Sequence, residues 1–212
     1  MKKVDIESWN RKQTFEFFKD MDQPKYTITV DLDVTDFYKY VKKKETSFYF
    51  AMMYVVMIEM NAMENMKYRF YNNEVILCDQ LHPSFTDTIP LTAQFKIVTA
   101  DMKEDMFEFI KSAKETSEKQ GSLFIDMSKE QRPDLVYITT FPWAKFTQVS
   151  HAHQYDNQCA IQRVAWGKFE EINGRLKMPF SIEAHHAFVD GLHVGIFINR
   201  LQERLFAIKN LT

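Results

Sequence analysis

The chain has 212 residues, 27 basic and 29 acidic side chains, a net charge of −2, and 45% apolar residues. That length suffices for one sizeable core and suits a single unit, residues 1–212, better than two small ones. Near-neutral charge with scattered basic residues leaves no electrostatic footprint for a nucleic-acid partner.

Nineteen Phe and nine Tyr predict a filled interior with aromatic surface left over for a pocket or a subunit contact. The two cysteines, Cys78 and Cys159, form neither a disulfide framework nor a zinc pattern and read as buried thiols in a reducing compartment. Met1-Lys2-Lys3-Val4-Asp5 leads into charged sequence rather than the apolar core of a signal peptide. The longest apolar run, Phe48 to Ile58, is too short for a bilayer. The expectation is a cytoplasmic protein with no membrane partner.

In chain order, Ser8 is expected to cap a first helix containing Phe15, Phe17 and Phe18. Tyr26 to Val30 alternates as a strand. Val34 to Lys44 reads as a short amphipathic helix, and Phe48 to Met63 as a longer one packed on most sides. Tyr68–Tyr71, Asn72-Asn73 and Val75–Leu77 predict a hairpin. Thr92 to Thr99 is a predicted strand. Met102 to Lys119 is a predicted helix with Met106, Phe107, Ile110 and Ala113 on one stripe. Strands are expected at Leu135–Thr140, around Phe146–Val149, at Ile161–Phe169 and at Leu176–Ala184, the last entered through an Asn173-Gly174 turn. A helix from Leu192 to Ile208 closes the series. Interspersed strands and helices, with the late strands mostly antiparallel, make a mixed α and β protein.

The stretch Ala184-His185-His186-Ala187-Phe188-Val189-Asp190-Gly191 joins the last strand to the last helix. A strand end fixes a side chain while the loop leaves it reachable. Adjacent His residues on a strand point to opposite faces, so one can be structural while the other faces a pocket. Asp190 supplies a carboxylate at the helix N-terminus and Gly191 a permissive backbone for a sharp turn. Two satisfied core histidines are the ordinary alternative, but the pair, the Asp four residues on and the adjacent Gly would then all be coincidence. A metal is not expected, because His193 lies along a helix and His151 and His153 on a distant strand.

His185-His186-x-x-x-Asp190-Gly191 resembles the active-site signature of the chloramphenicol acetyltransferase family. Ser8-Trp9-x-Arg11-Lys12-x-x-Phe15, His82-Pro83-x-Phe85-Thr86, Phe141-Pro142-Trp143, Gly191-x-His193-Val194 and Asn199-Arg200-Leu201 resemble it at the same spacing, across essentially the whole chain. The resemblance implies an α+β, two-layer sandwich with a mixed, mostly antiparallel sheet and helices packed on one face. It implies a homotrimer with sites at subunit interfaces, reached by acetyl-CoA as co-substrate and by a small-molecule acceptor, without a metal. His186 is then the general base that removes the acceptor hydroxyl proton, and Asp190 pairs with Arg11 to hold the loop. Thr139 stands where the family places an oxyanion-binding hydroxyl. Ala165 stands where it places a second one, which is lost here. Lys168 and Phe169 match positions near the nucleotide end of CoA.

Phe18 and Tyr26 fall on acceptor-pocket positions and keep aromatic character. Asp22, His151, His153 and Arg163 replace apolar pocket residues, and a cation in an apolar slot needs a partner. Either these side chains meet an acceptor more polar than chloramphenicol, or they pair with one another and narrow the pocket. The resemblance thus implies an O-acetyltransferase of the antibiotic-resistance type. The alternatives are an acyltransferase for a more polar amine or hydroxyl acceptor, and a catalytically silent trimeric binding protein.

Overall fold

The computed structural model describes residues 1–154 and 156–208. Residues 155 and 209–212, which the sequence places in the same unit, lie outside the described residues.

The strands are β1 (Lys2–Lys3), β2 (Lys25–Asp33), β3 (Tyr68–Tyr71), β4 (Glu74–Leu77), β5 (His82–Thr88), β6 (Phe95–Thr99), β7 (Leu135–Phe141), β8 (Arg163–Gly167), β9 (Glu170–Ile172) and β10 (Arg175–His185). The helices are α1 (Lys12–Phe18), α2 (Thr35–Lys43), α3 (Phe48–Asn61), α4 (Met106–Gln120), α5 (Met127–Glu130) and α6 (Gly191–Phe206). A large sheet runs in the order β2–β10–β8–β7–β5–β6, with β9 attached to β10, while β1, β4 and β3 form a small second sheet. Only β5–β7 and β7–β8 are parallel in the large sheet; its other pairs are antiparallel.

Period-2 alternation gives this sheet two unlike faces. Leu32, Phe85, Val98, Val136, Ile138, Val164, Trp166, Met178, Phe180 and Ile182 are buried on one of them, packed against the helical layer. Within that layer α3 is buried all round: Met52, Met53, Val55, Val56 and Met57 are fully inaccessible, which is why its sequence shows no polar stripe. The other face carries Thr29, Thr86, Tyr137, Thr139, Arg163, Ser181 and Glu183, set side by side by the strand register. This two-layer arrangement, polar on the open side, is what positions the site.

Several elements differ from expectation. The helix from Met102 starts at Met106, because the Asp105 side chain caps it by accepting from the Phe107 and Glu108 amides. Its buried stripe is Met106, Phe109, Ile110, Ala113 and Ser117, while Phe107 is exposed. The strand from Thr92 starts at Phe95, after a turn closed by Ile89 and Gln94. Ser8 caps no helix; its hydroxyl donates to Asp5 and α1 begins after Arg11. The stretch Phe146–Val149 is not a strand. It lays Phe146 over Gly167, where an added Cβ would meet Phe146 and Pro179 at 2.9 Å. β5 was not anticipated, since Pro83 argues against a central strand. Here Pro83 pairs with Val136 of parallel β7. His151 and His153 sit on a loop, not a strand. Both Asn-rich hairpin turns form as expected, with positive φ at Asn72, Asn73, Asn173 and Gly174.

Candidate active site

β10 runs to His185, and the chain turns through Ala187–Val189 into α6. The His186 amide still donates to the Pro24 carbonyl (2.9 Å), and the Phe188 and Val189 amides close the turn on the His185 carbonyl. Asp190 is the N-cap of α6, and its own amide donates to His193 Nδ1 at 2.9 Å. Burial lowers the His193 pKa, the state that lets this nitrogen accept. Gly191 needs no special φ and has open space around it, so a sharp turn is not what this glycine serves.

The two histidines divide as the strand geometry requires. His185 is buried, with Nε2 against the Asn157 carbonyl (2.7 Å) and Nδ1 accepting from the Ala187 amide (3.1 Å). Burial pushes its pKa down to about 4. His186 is about one-third exposed, at 34%. Its ring stacks on Phe18 (centroids 3.8 Å apart, planes 6° off parallel), with Tyr26 tilted beside it at 4.9 Å. Nδ1 is buried with no hydrogen bond among the described residues and lies 3.3 Å from Asp190 Oδ1, so Nε2 is the nitrogen left open. The Tyr26 hydroxyl donates to the Val189 carbonyl, and burial, reinforced by Asp190, raises its phenol to about 12.

Arg11 clamps this loop. Its guanidinium forks onto Asp190 (2.6 and 2.5 Å) and donates to the carbonyls of Ala187 (2.9 Å) and His186 (3.0 Å). The paired hydrogen bonds hold the Asp190 carboxyl below its usual range. The expected Arg11–Asp190 contact is therefore present.

A second group of residues lies on the polar face of the sheet. The Thr139 and Thr86 hydroxyls are 3.3 Å apart. Thr139 pairs with Ala165, and Ala165 with Ser181, whose hydroxyl accepts from Thr29 at 3.1 Å. Ala165 thus interrupts an otherwise hydroxylated row. Next to it, Arg163 donates to Glu183 Oε1 (3.0 Å), and His153 contacts Glu183 Oε2 at 2.9 Å. Arg163 therefore has a buried partner, the pairing alternative left open by the sequence. His151 Nε2 is buried without a hydrogen-bond partner among the described residues, and burial lowers that imidazole's pKa. Thr139, Arg163 and His151 line a cavity of about 400 Å³, together with Ser84, Thr86 and Glu130. Asp22, His153 and Glu183 line a neighbouring one of about 290 Å³.

The six expected pocket residues thus fall into three places: Phe18 and Tyr26 at the His186 ring, His151 and Arg163 in the larger cavity, and Asp22 and His153 in the smaller. His186 and Thr139 are not brought together within one chain. His185 is four positions beyond Ser181 on β10, and Thr139 is two strands across from Ser181. Strand rise and spacing make that roughly 13 Å by roughly 10 Å. Lys168 is exposed, and Phe169 packs against Tyr38 and Phe48 beyond the far end of β8. Sequence reasoning missed Glu183, Glu130, Thr86, Ser84 and Tyr137. Alternation in β10 could have flagged Glu183, a carboxylate between Ile182 and Ala184 where a buried strand continues. Among the described residues no group of three or more His, Cys, Asp or Glu side chains could hold a metal ion, and no helix is long and apolar enough to cross a membrane.

A mixed sheet of this order with helices on one face is the architecture of CoA-dependent acyltransferases. A solved chloramphenicol acetyltransferase superposes with a TM-score of 0.86 at 23% identity, over 95% of this chain and 98% of that one. A dihydrolipoamide acetyltransferase of Azotobacter vinelandii superposes at 0.68 and 15% identity, over 94% and 88%. Residues 1–202 match the family model described as chloramphenicol acetyltransferase. A chloramphenicol acetyltransferase of Escherichia coli is 30% identical over 94% of this chain and 91% of its own length. One of Proteus mirabilis is 26% identical over 94% and 92%. The chain belongs to the chloramphenicol acetyltransferase family and is an acyltransferase, of a family that takes acetyl-CoA as its co-substrate.

Proposed function

We propose that the protein transfers the acetyl group of acetyl-CoA to a hydroxyl of a small acceptor, with His186 as general base. The observation that carries this reading is the orientation of one imidazole. Nδ1 is buried toward Asp190, which favours the tautomer protonated there and leaves a lone pair on the open Nε2. Nε2 takes the acceptor's hydroxyl proton as the oxygen attacks the thioester carbonyl. The oxyanion receives the Thr139 hydroxyl. Collapse breaks the C–S bond, and the departing CoA thiolate takes from His186 the proton that came from the acceptor hydroxyl.

His186 and Thr139 are too far apart within one chain for that sequence, and a homotrimer removes the difficulty by facing His186 of one subunit toward Thr139 of the next. Residues 1–212 act as one unit of a cytoplasmic enzyme in this reading. Phe18, Tyr26, Asp22, His151, His153 and Arg163 line the acceptor's path, and Lys168 and Phe169 meet the nucleotide end of CoA. Arg163 and His153 pair on Glu183 and narrow the pocket, and the neighbouring Thr86 and Thr139 hydroxyls are what favour an acceptor more polar than chloramphenicol.

Thiol release from acetyl-CoA with chloramphenicol and with more polar hydroxyl compounds tests this. The His186→Ala variant should lose about 10²–10⁴ in rate, and the native mass in solution should be that of three chains. Release unchanged in that variant discards the general base. No release with any acceptor would instead favour a silent binding protein, a reading the buried, hydroxyl-less Ala165 supports.

A further inference from the structure

The charges around the 400 Å³ cavity at Thr139 are not balanced. Arg163, the cation in its wall, is already matched by Glu183 at 3.0 Å, and that carboxylate is buried. His151 is the other basic group, and burial disfavours its charged form. Glu130, at the end of the short α5, lines the same cavity. Its Oε1 receives the hydroxyls of Ser84 (2.8 Å) and Thr99. Among the described residues no Lys, Arg or His pairs with Glu130, and its Oε2 receives no hydrogen bond. Tyr137 lines the same cavity as Glu130 and Arg163; burial raises its phenol pKa most, Glu130 adds to the rise and Arg163 opposes it. One carboxylate with no cationic partner among the described residues therefore lines a cavity in which the hydroxyl-bearing Ser84, Thr86, Tyr137 and Thr139 alternate with the apolar Phe85, Ile97, Ile125 and Ile138.

We propose that Glu130 is the specificity-determining anchor of the acceptor site and binds a protonated amine, so that the acceptor class is a hydroxylated amine. This rests on the reading that the cavity at Thr139 receives the acceptor. The carboxylate takes the ammonium in a charge-assisted hydrogen bond, and the hydroxyl to be acetylated lies toward Thr139. An anionic acceptor is disfavoured, because it would face Glu130 and would have to draw Arg163 away from Glu183.

Two probes isolate the ammonium. Chloramphenicol carries its nitrogen as a neutral dichloroacetamide, and its deacylated amine base is the same nitrophenyl propanediol with a free ammonium. Calorimetric binding to the full chain at neutral pH is expected to favour the amine base by about 10- to 100-fold, the range of a hydrogen bond between charged partners. Glu130→Gln, which keeps an acceptor for Ser84 and Thr99, should abolish that preference and leave chloramphenicol binding within about threefold, showing that the cavity is intact. Glu130→Asp should retain part of the preference. Equal binding of the two probes to the wild type overturns the proposal, and so does an equal loss of both in Glu130→Gln, which would mean that Glu130 only holds Ser84 and Thr99 in place. Thiol release with the same probes reports separately on the transferase reading: a binding preference without release keeps the cation site and removes that reading, and release without a preference does the reverse.

Discussion

The His186 loop and the polar face of the sheet are both built on β10, yet they are held by opposite means. The loop is fixed by residues close in sequence and by the N-terminal segment, which supplies Arg11, Phe18, Tyr26 and the Pro24 carbonyl. Arg11 reaches two carbonyls and both oxygens of Asp190, His185 and His193 satisfy backbone groups, and Phe18 covers one ring face. The polar face has no such shell. Its contents come from β2, β5, β7, β8, β10, α5 and an irregular loop, joined by strand register and by one carboxylate, Glu183. A catalytic imidazole requires the first kind of order, whereas a pocket that recognises varied acceptors tolerates the second. Change at Arg11 should therefore be felt throughout the loop, and change at Glu183 only locally.

The strongest way to break this contrast is Arg11→Met. It removes a guanidinium that is 9% exposed and strands Asp190, which is 33% exposed. Removing one partner of a buried pair costs about 3–5 kcal/mol, and the exposure of Asp190 lowers the expectation to about 3 kcal/mol. Urea unfolding should show that loss, and thiol release should fall with it because the His186 carbonyl loses its donor. A stability change below about 1 kcal/mol would mean that the clamp is ornamental.

The second test uses pH. His185 titrates near 4 when folded and near 6.5 when unfolded, so between those values the unfolded state binds more protons. Stability from this group is complete above about 6.5 and is lost progressively as pH falls toward 4, by roughly 3 kcal/mol at most. Asp190, also depressed, adds a loss at lower pH, as acid protonates it below the ordinary carboxylate range. Unfolding at pH 7 and pH 5 should differ clearly in the wild type and much less in His185→Gln. An equal pH slope in that variant would show that the buried imidazole is not the source.

The polar face is sharpened by a double-mutant cycle. Glu183→Gln leaves Arg163 (12% exposed) with a neutral partner and should cost about 1–3 kcal/mol. Adding Arg163→Met, which removes the stranded charge, should recover most of it. No recovery would locate the role of Glu183 with His153 instead.

The same contrast sets what was legible in the sequence. The loop could be read because its parts are contiguous: the His pair, Asp190, and a strand and helix with clean periodicity. Its distant partners Arg11, Phe18 and Tyr26 came from a resemblance, not from pattern, and the Pro24 and Asn157 carbonyls emerged only with the fold. The polar face was only half legible. Arg163 and His153 stood out as misplaced polar residues, but Glu183 supplies their reason only through the pairing of β8 with β10 and the path of an irregular loop. Glu130 lies on a one-turn helix too short for a periodic signal, and β5 hid behind Pro83. The helices erred at their ends, where caps such as Asp105 decide the start and hydrophobic spacing does not.

The smallest effect expected is at Phe18. Its ring lies parallel to His186 at 3.8 Å, and an aromatic pair contributes about 0.5–1.5 kcal/mol beyond the area it buries. Phe18→Leu keeps an apolar cover and leaves Arg11, Asp190 and the Pro24 contact in place, so Tm should fall by only a few degrees, roughly 2–4 °C per kcal/mol lost. What it removes is the flat surface that restrains the imidazole's tilt, and restraint acts on kcat when Nε2 must meet a hydroxyl at one angle. A fall of about fivefold in thiol release at saturating acetyl-CoA and acceptor, with the protein still fully folded at the assay temperature, is the expected result. Undiminished turnover would mean that Tyr26 and the loop backbone alone orient the ring, and the ordered region would then be smaller by one residue, confined to the Arg11 clamp.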